Sequence, residues 1–359
     1  MTATVGTNPL DRTVIRARVD NALYEFLERK TRAGTASGLP GDVTDAVRSF
    51  LFAGGKRIRP LLCAFGWHAA GGGELPNEII RAAAALEMFH AAVLIHDDII
   101  DNSDTRRDQP TVHRAAADRN RTARDAAAAD LFGTSAAILI GDFALVWSDE
   151  LLHTAGLSAE QLAAAAPVLD AMRSEVNYGQ YLDLLTTGHP TADLDQALEI
   201  IRYKTAAYTV ERPLQLGAVL AGAGSDVCEA LSAYARPLGE AFQLQDDLLG
   251  VFGDPARTGK SIVDDLREGK HTALLALALR NADADQAARL RGLVGNRRLD
   301  ERGAAICREI LAVTARTEVE QLIRERWLRV QRALDKAPFP AAAIAALRAT
   351  ADAIVARAS

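Results

Sequence analysis

Residues 77–100 read NEIIRAAAALEMFHAAVLIHDDII, and this stretch decides the fold class. If it is helical, apolar side chains cover nearly its whole circumference, which is typical of a helix at the centre of a bundle. Three glycines at residues 71–73 end the helical pattern that precedes it, since glycine is a frequent helix terminator. We therefore predict one long central helix over Asn77–Ile100.

The remainder of the chain has the same helical character. Aromatic residues make up 5% and charged residues 25% of its 359 residues, and alanine and leucine are abundant, a composition that favours helices over strands. Residues 1–10 are predicted to be a flexible arm. The other predicted helices are 11–30, one ending near Phe52, one beginning at Pro60, 125–155, 159–186, 193–222, 226–251, 270–281, 284–294, 297–337 and 340–357.

The composition argues against several classes of function. A net charge of −6 does not favour a nucleic-acid partner. The three cysteines are far apart and form no CxxC pair, so we expect buried thiols in a reducing cytoplasm. The most apolar stretch, Leu131–Trp147, is interrupted by Asp142, whereas a transmembrane helix needs about 20 apolar residues. We therefore expect a soluble cytoplasmic protein without stable membrane insertion.

The first acidic segment follows directly from the central helix. Residues 96–101 read HDDIID, and Asp97 and Asp101 project from one helix face, where like charges repel each other. A Mg²⁺ ion explains the pair, because it prefers oxygen ligands and often bridges carboxylates to phosphates. Arg106 and Arg107 follow, and guanidinium groups suit a diphosphate. A solvated acidic helix end is the alternative interpretation.

A second acidic segment lies late in the chain, where residues 242–250 read FQLQDDLLG. Gln243, Asp246 and Asp247 share one helix face. Lys260 and Lys270 follow glycines, and lysines on such loops are mobile charges that suit phosphate oxygens. Solvated loop lysines are the alternative.

A third, basic segment reads GGKRIRP over residues 54–60, before a predicted helix. Its glycines allow a ligand to approach the backbone, and its three cations indicate an anion pocket. No Walker A pattern is present, so a P-loop is not expected. A solvated basic turn remains the alternative.

Together these segments resemble the trans-type polyprenyl (isoprenyl) diphosphate synthase family, and most closely its short-chain geranylgeranyl and farnesyl diphosphate synthases. The resemblance covers residues 54–270 and includes GGKRIRP, a histidine before DDIID, the pair RR, YKTA at 203–206 and FQLQDD. It implies an all-α fold in which residues 1–359 form a single large bundle of the isoprenoid synthase type around a central apolar cavity. It also implies a homodimer.

The resemblance implies roles for individual residues. The diphosphate of isopentenyl diphosphate would be bound by Lys56, Arg59, His90 and Arg107. About three Mg²⁺ ions would be bound by Asp97, Asp101 and Asp246, with support from Asp247. The allylic diphosphate and the reacting carbon would be contacted by Arg106, Lys204, Thr205, Gln243, Lys260 and Lys270. The family reaction is a head-to-tail condensation of isopentenyl diphosphate with C5, C10 or C15 allylic diphosphates.

Two departures from the family pattern leave alternatives open. Gly250 replaces the final aspartate of the second acidic segment, which could weaken the third metal site. This substitution is the one feature that favours a non-catalytic partner subunit. A class I terpene cyclase also uses a DDxxD motif, but the NSE-type second motif of such enzymes is not found here. The first acidic segment has the short, two-residue spacer.

Product length in the family depends on the helix wall before the first aspartates. Ala92 and Val93 lie five and four residues before Asp97, and both are small, whereas Phe89 is bulky. One helical turn rises about 5.4 Å, roughly one isoprene unit. We therefore expect a C20 product, geranylgeranyl diphosphate, with C15 farnesyl diphosphate as the alternative.

Overall fold

A computed structural model describes residues 10–123, 125–253 and 262–355 of the chain, without the side chains of residues 262, 264, 265 and 355. The described chain is almost entirely helical, which confirms the predicted all-α class. The predicted arm lies outside the described residues except for Leu10, which is buried.

Contacts divide the chain into two compact units. The first runs to Trp67 and continues over Gly72–Ala163, and the second holds His68–Gly71 and the chain from Ala164 onward. The single domain over 1–359 stays a prediction.

The first unit is organised around the predicted central helix. Its elements are α1 (Arg12–Ala36), α2 (Asp42–Phe52), α3 (Ile58–Ala69, up to Trp67), α4 (Asn77–Ile100), the strands β1 (Thr105–Arg106) and β2 (Gln109–Pro110), α5 (Val112–Asn120) and α6 (Ala126–His153). Residues around the whole circumference of α4 are buried, because α1, α2, α5 and α6 all pack against it. The predicted bounds of α4 are confirmed.

Helix α7 (Ala159–Thr186) leads from the first unit into the second. The remaining elements are α8 (Leu194–Ile200), a π-helical segment (Ile201–Glu211), α9 (Arg212–Leu220), α10 (Ser225–Phe252), α11 (Ile262–Glu268), α12 (Ala273–Asn281), α13 (Ala284–Leu293), α14 (Glu301–Thr314), α15 (Arg316–Lys336) and α16 (Ala341–Val355). Helix α10 is the centre of this unit, since it packs against the π-helical segment, α9, α12, α15 and α16.

Two of the predicted helices are interrupted. The stretch 193–222 is α-helical only at its ends and is π-helical over Ile201–Glu211. The stretch 297–337 breaks at Ala315, whose φ and ψ are −136° and −31°. The side chain of Asn281 donates a 2.8 Å hydrogen bond to the Thr314 carbonyl, so a side chain from another helix satisfies an acceptor at this break. Both α5 and α11 were not predicted.

Two helices have the length and apolar composition of a membrane span, α4 and α6. The most apolar window of α4 is 72% buried, as befits the core helix of its unit. In α6 only 33% of the most apolar 18-residue stretch is buried. Helix α6 therefore presents an apolar surface, which we call the α6 apolar face and define by Leu131, Leu139, Phe143 and Val146.

Candidate active site

The three aspartates at the end of α4 have different environments. Asp98 is buried, and Arg106 donates to both of its carboxylate oxygens, from Nε at 2.8 and 2.9 Å. Asp97 and Asp101 are only partly buried and lie one turn apart on another face. The Arg106 Nη2 atom is 3.5 Å from Asp97 Oδ2. Asp98 is therefore the buried structural partner of Arg106, whereas Asp97 and Asp101 are the two partly buried carboxylates of this segment.

The donor set of this pair fits Mg²⁺. Within residues 10–123, 125–253 and 262–355 no three His, Cys, Asp or Glu side chains are grouped to hold a metal ion. Mg²⁺ is commonly held by only one or two carboxylates, with water and substrate phosphate completing its shell. The Asp97–Asp101 pair therefore matches the needs of this ion better than those of zinc, which usually takes three or four protein ligands.

The strands β1 and β2 form a hairpin that carries both arginines. Arg106 pairs with Gln109 across the ladder, and the two turn residues between them, Arg107 and Asp108, have φ angles of 53° and 60°. Such turns usually contain asparagine and glycine, because other residues are strained at positive φ. Strain of this kind is concentrated at functional sites. The turn directs Arg106 toward Asp98 and leaves Arg107 to contact another loop.

That loop is the glycine turn of the basic segment. Gly54 and Gly55 have φ angles of 110° and 133°, which favour glycine. Arg107 donates to the Gly54 carbonyl, and a Cβ atom on Gly55 would lie 3.3 Å from Arg107 Nη2. Lys56 is exposed and Arg59 is buried. The first unit therefore brings Arg107 to the turn that carries Lys56 and Arg59.

Arg57 does not belong to an anion pocket, and the interpretation of three ligand-binding cations in this segment is wrong. The Arg57 side chain is 2% exposed and makes two ion pairs, with Asp20 at 2.7 Å and with Glu87 at 2.9 Å. It also donates to the Leu51 carbonyl at 2.7 Å. A buried guanidinium needs such partners, and they occupy all three of its nitrogens. Arg57 is therefore a structural residue.

His90 lies on α4, within the electric field of four arginines. Loss of hydration, and then the positive charges of Arg59, Arg107, Arg106 and Arg57, lower the pKa of His90 well below its ordinary value of 6.5. The imidazole is therefore neutral at physiological pH. A neutral imidazole can donate one hydrogen bond to a diphosphate without adding a further charge to this crowded region.

This lowered pKa predicts a pH dependence of stability. Between the folded-state pKa and 6.5 the unfolded chain binds a proton at His90 and the folded chain does not, so acidification below pH 6.5 favours unfolding. Compared with His90→Gln, the native protein should lose up to about 1.4 kcal/mol more unfolding free energy per pH unit in this range. Urea denaturation between pH 5 and 8 measures the difference. Parallel pH profiles would contradict the assignment.

Hydrogen bonds in the second unit join three of the predicted residues, Thr205, Gln243 and Asp247, and fix a fourth, Lys204, to Asp183. Lys204 Nζ donates to Asp183 Oδ2 at 2.6 Å, the Thr205 hydroxyl donates to Gln243 Oε1 at 2.8 Å, and Gln243 Nε2 donates to Asp247 Oδ1 at 2.9 Å. Asp246, the adjacent residue on α10, is exposed. Lys204, Thr205, Gln243 and Asp247 thus lie together, with Asp246 at their edge.

Asp183 was not among the predicted site residues. It is 5% exposed and follows Met172, Val176 and Gly179 along the buried face of α7. A carboxylate at the helical spacing of an apolar face is a signal for a buried cation partner. The sequence held this signal, but its partner Lys204 is 21 residues away.

Two predicted lysines have no geometric support from the second unit. Lys270 Nζ lies 3.1 Å from Glu268 Oε2, just after α11, and Lys260 lies outside the described residues. The proposed diphosphate contacts of both lysines stay predictions. Gly250 lies one helical turn after Asp246 on α10 and is half-buried.

Comparison with known proteins decides the family. The family model described as polyprenyl synthetase matches residues 42–311. The chain belongs to the polyprenyl synthetase family. It is therefore a prenyl diphosphate synthase, and the segments from the glycine turn to Asp247 all fall within the matched region of this polyprenyl synthetase.

Three relatives illustrate the range of similarity. A geranylgeranyl pyrophosphate synthase from Corynebacterium glutamicum, solved in complex with isoprenyl diphosphate and magnesium, is 42% identical with a TM-score of 0.91, covering 97% of this chain and 99% of its own. A short chain isoprenyl diphosphate synthase of Methanocaldococcus jannaschii is 32% identical over 84% of this chain and 82% of its own length. A (2E,6E)-farnesyl diphosphate synthase of Mycobacterium tuberculosis is 36% identical over 61% of this chain and 55% of its own. The names of these relatives cover more than one product length.

Proposed function

We propose that this polyprenyl synthetase is a Mg²⁺-dependent trans-prenyltransferase that condenses isopentenyl diphosphate with C5, C10 and C15 allylic diphosphates to geranylgeranyl diphosphate. The observation that carries the proposal is the geometry of Asp97 and Asp101, two partly buried carboxylates one helical turn apart at the end of α4 and next to Arg106, which is paired with the buried Asp98. The 42% identity to a geranylgeranyl pyrophosphate synthase supports the C20 product over farnesyl diphosphate.

Residues of the first unit would bind the diphosphate of isopentenyl diphosphate and would contribute to binding the allylic diphosphate, to which the predicted contacts of Lys204, Gln243, Lys260 and Lys270 would be added. Asp97 and Asp101 would hold Mg²⁺, and Asp246 in the second unit, supported by Asp247, would hold a further ion, in keeping with about three in total. Bound Mg²⁺ neutralises charge on a phosphate oxygen. Lys56, Arg59, His90 and Arg107 would bind the diphosphate of isopentenyl diphosphate, and Arg106 would contact the allylic diphosphate. Arginine forks suit this task because they donate two parallel hydrogen bonds.

The reaction begins with departure of the diphosphate from the allylic substrate, which leaves an allylic carbocation. Negative charge builds on the leaving group, so donors already aimed at it lower the barrier most. The double bond of isopentenyl diphosphate attacks the cation, a new carbon–carbon bond forms, and a proton leaves the adjacent carbon. The released diphosphate would accept that proton, so the step needs no further base.

Lys204 and Thr205 would act near the reacting carbon. A bare ammonium group would repel a carbocation, but the Asp183 carboxylate at 2.6 Å offsets the charge of Lys204. The Thr205 hydroxyl donates its hydrogen bond to Gln243 Oε1, so the lone pairs of the hydroxyl oxygen can face a positive centre. The pair can therefore contribute dipoles without adding net positive charge.

The deciding experiment incubates the purified protein with Mg²⁺, labelled isopentenyl diphosphate and, separately, C5, C10 and C15 allylic diphosphates. We expect a C20 ceiling with all three starters after dephosphorylation and sizing of the products. A C15 ceiling would retain the reaction and discard the predicted chain-length wall. If no starter is elongated, the proposed condensation activity is rejected and a non-catalytic partner subunit is favoured. Gly250→Asp would then be the first variant to test for restored activity.

The chain-length wall on α4 gives a separate prediction. Phe89 and Ala92 are buried and Val93 is half-buried, and the step from Ala92 to Asp97 is about 7.5 Å along the axis. We expect Ala92→Phe to shift the main product from C20 to C15, because the ring would fill the space of one isoprene unit. Mass spectrometry of the products tests this. An unchanged C20 product would locate the wall elsewhere, and Ala92→Val is the matched conservative variant.

We further propose a homodimer whose interface includes the α6 apolar face. Leu131, Leu139 and Val146 are 69%, 59% and 60% exposed, and large apolar patches of this kind mark interaction sites. We expect Leu139→Asp to convert the dimer to a monomer in sedimentation velocity. Val313→Asp, at an exposed apolar residue on α14, is the control and should leave the dimer intact. A monomeric native protein that binds lipid vesicles would instead assign the face to a membrane surface.

The cysteines support a cytoplasmic location. Burial raises the pKa of the Cys63 thiol to about 12 and that of Cys307 to about 11, so neither forms the reactive thiolate readily. All three cysteines are free, as is usual in a reducing compartment.

A further inference from the structure

The π-helical segment Ile201–Glu211 carries both Lys204 and Thr205, and it is continuous with α8 and α9. π-Helices are rare and are often found at functional sites. One extra residue in an α-helix turns every following side chain by about 100°. The wide turns of this segment therefore determine the direction in which Lys204 and Thr205 project, and something must hold the segment in this less stable form.

Helix α7 approaches the segment at a glycine. A Cβ atom on Gly179 would lie 2.3 Å from the backbone nitrogen of Lys204 and 2.7 Å from its Cα. One helical turn after Gly179, the Asp183 carboxylate accepts the hydrogen bond from Lys204 Nζ at 2.6 Å. The glycine lets the two backbones touch, and the aspartate then fixes the side chain of the same lysine.

Helix α10 repeats this arrangement on the next residues of the segment. A Cβ atom on Gly239 would lie 2.4 Å from the Cα of Ala206 and 2.6 Å from its Cβ. One turn after Gly239, Gln243 accepts the hydrogen bond from the Thr205 hydroxyl at 2.8 Å. Each of the two helices thus contacts the π-helical segment in the same way. A glycine packs against its backbone, and a polar side chain four residues later accepts a hydrogen bond from it.

We propose that these two pairs, Gly179 with Asp183 and Gly239 with Gln243, form a clamp that positions Lys204 and Thr205 for catalysis. Glycine inside a helix lowers the stability of that helix by about 1 kcal/mol relative to alanine. Both glycines lie within long helices, and the close backbone contact that they allow compensates for this loss. The two glycines are positioning residues that act through the segment. The inference rests on the proposed role of Lys204 and Thr205 in the condensation.

The kinetic test compares Gly179→Ala and Gly239→Ala with Gly292→Ala. Gly292 lies on α13, and an added Cβ there would have no atom within 4 Å apart from its chain neighbours and its own helix backbone, so this control should keep native kinetics. A displacement of about 1 Å at a reacting centre can cost about 10²-fold in rate. We therefore expect kcat to fall about 10²-fold in both clamp variants, while KM for isopentenyl diphosphate, assigned to residues of the first unit, changes less than about threefold.

A double-mutant cycle separates positioning from general damage. If Gly179 acts through Lys204, Gly179→Ala should lower kcat much less in a Lys204→Ala background than in the native protein. An equal loss in both backgrounds would overturn the proposal. So would alanine variants whose kcat matches that of Gly292→Ala.

Hydrogen exchange tests the clamp without any reaction, and so separates its failure from failure of the proposed function. We expect Gly179→Ala and Gly239→Ala to accelerate amide exchange in peptides from 201–211 while peptides from α15 keep native rates. If either alanine variant does not fold, Asp183→Asn, which keeps the side-chain volume, decides by the same measurement. Native exchange over 201–211 in the folded variants would overturn the proposal, even in a protein that condenses no substrate.

Discussion

Asp101→Asn should lower kcat by at least about 10³-fold and leave the fold intact. An amide is a poor ligand for Mg²⁺, and bound Mg²⁺ stabilises the charge of the transition state by several kcal/mol. A 10³-fold loss of rate corresponds to about 4 kcal/mol. Stability should not fall, because Asp97 and Asp101 are like charges one turn apart and their repulsion is relieved. Steady-state kinetics across a Mg²⁺ titration and thermal unfolding give the two readouts.

The control for this variant is Asp104→Asn. Asp104 follows the same segment, but its side chain is 79% exposed and pairs with Arg114, so turnover should be native. Asp98→Asn should behave in a third way, since it removes a buried partner of Arg106 and so lowers stability as well as turnover. If Asp101→Asn retains native kcat at saturating Mg²⁺, the carboxylate pair is not the metal site.

Glu87→Gln should lower the free energy of unfolding by about 3–5 kcal/mol, the usual cost of breaking a buried ion pair. The Arg57 and Glu87 side chains are 2% and 4% exposed, so water cannot solvate the Arg57 guanidinium in place of the lost carboxylate. Urea denaturation measures the change. Glu318→Gln is the matched control, because Glu318 pairs with Arg280 at the surface and such pairs contribute about 0–1 kcal/mol. Equal losses in the two variants would show that burial does not set the strength of the Arg57 pair.

Local spacing explains which features could be predicted from the sequence. The bounds of α4 and α7 follow from apolar periodicity and flanking turn residues, and the Asp97–Asp101 pair follows from the separation of four along one helix. Both depend on residues within a few turns of each other. The same applies to Gln243 and Asp247, which hydrogen-bond at that separation.

Features that depend on distant parts of the chain were not predictable in this way. Arg57 looks like one of three equivalent cations until Glu87, 30 residues later, is placed beside it. The π-helical segment Ile201–Glu211 has ordinary helical periodicity in the sequence, and its close contacts are with Gly179 and Gly239, which lie more than 20 residues away along the chain. Asp98 is likewise one of three similar aspartates until the hairpin returns Arg106 to it. In each case tertiary contact, rather than local preference, selects the role of the residue.

The unbroken course of α4 limits how the enzyme can be redesigned. Phe89 and Ala92 lie on the same continuous helix as Asp97 and Asp101, the last of which caps its C-terminus. Inserting one residue after Ala92 would rotate the following aspartates by about 100° and would bring Asp97 to the buried position that Asp98 now occupies. If the proposed chain-length wall on α4 is correct, a longer prenyl product requires smaller side chains along this helix, because the length of the helix cannot be changed by single residues without turning the aspartates.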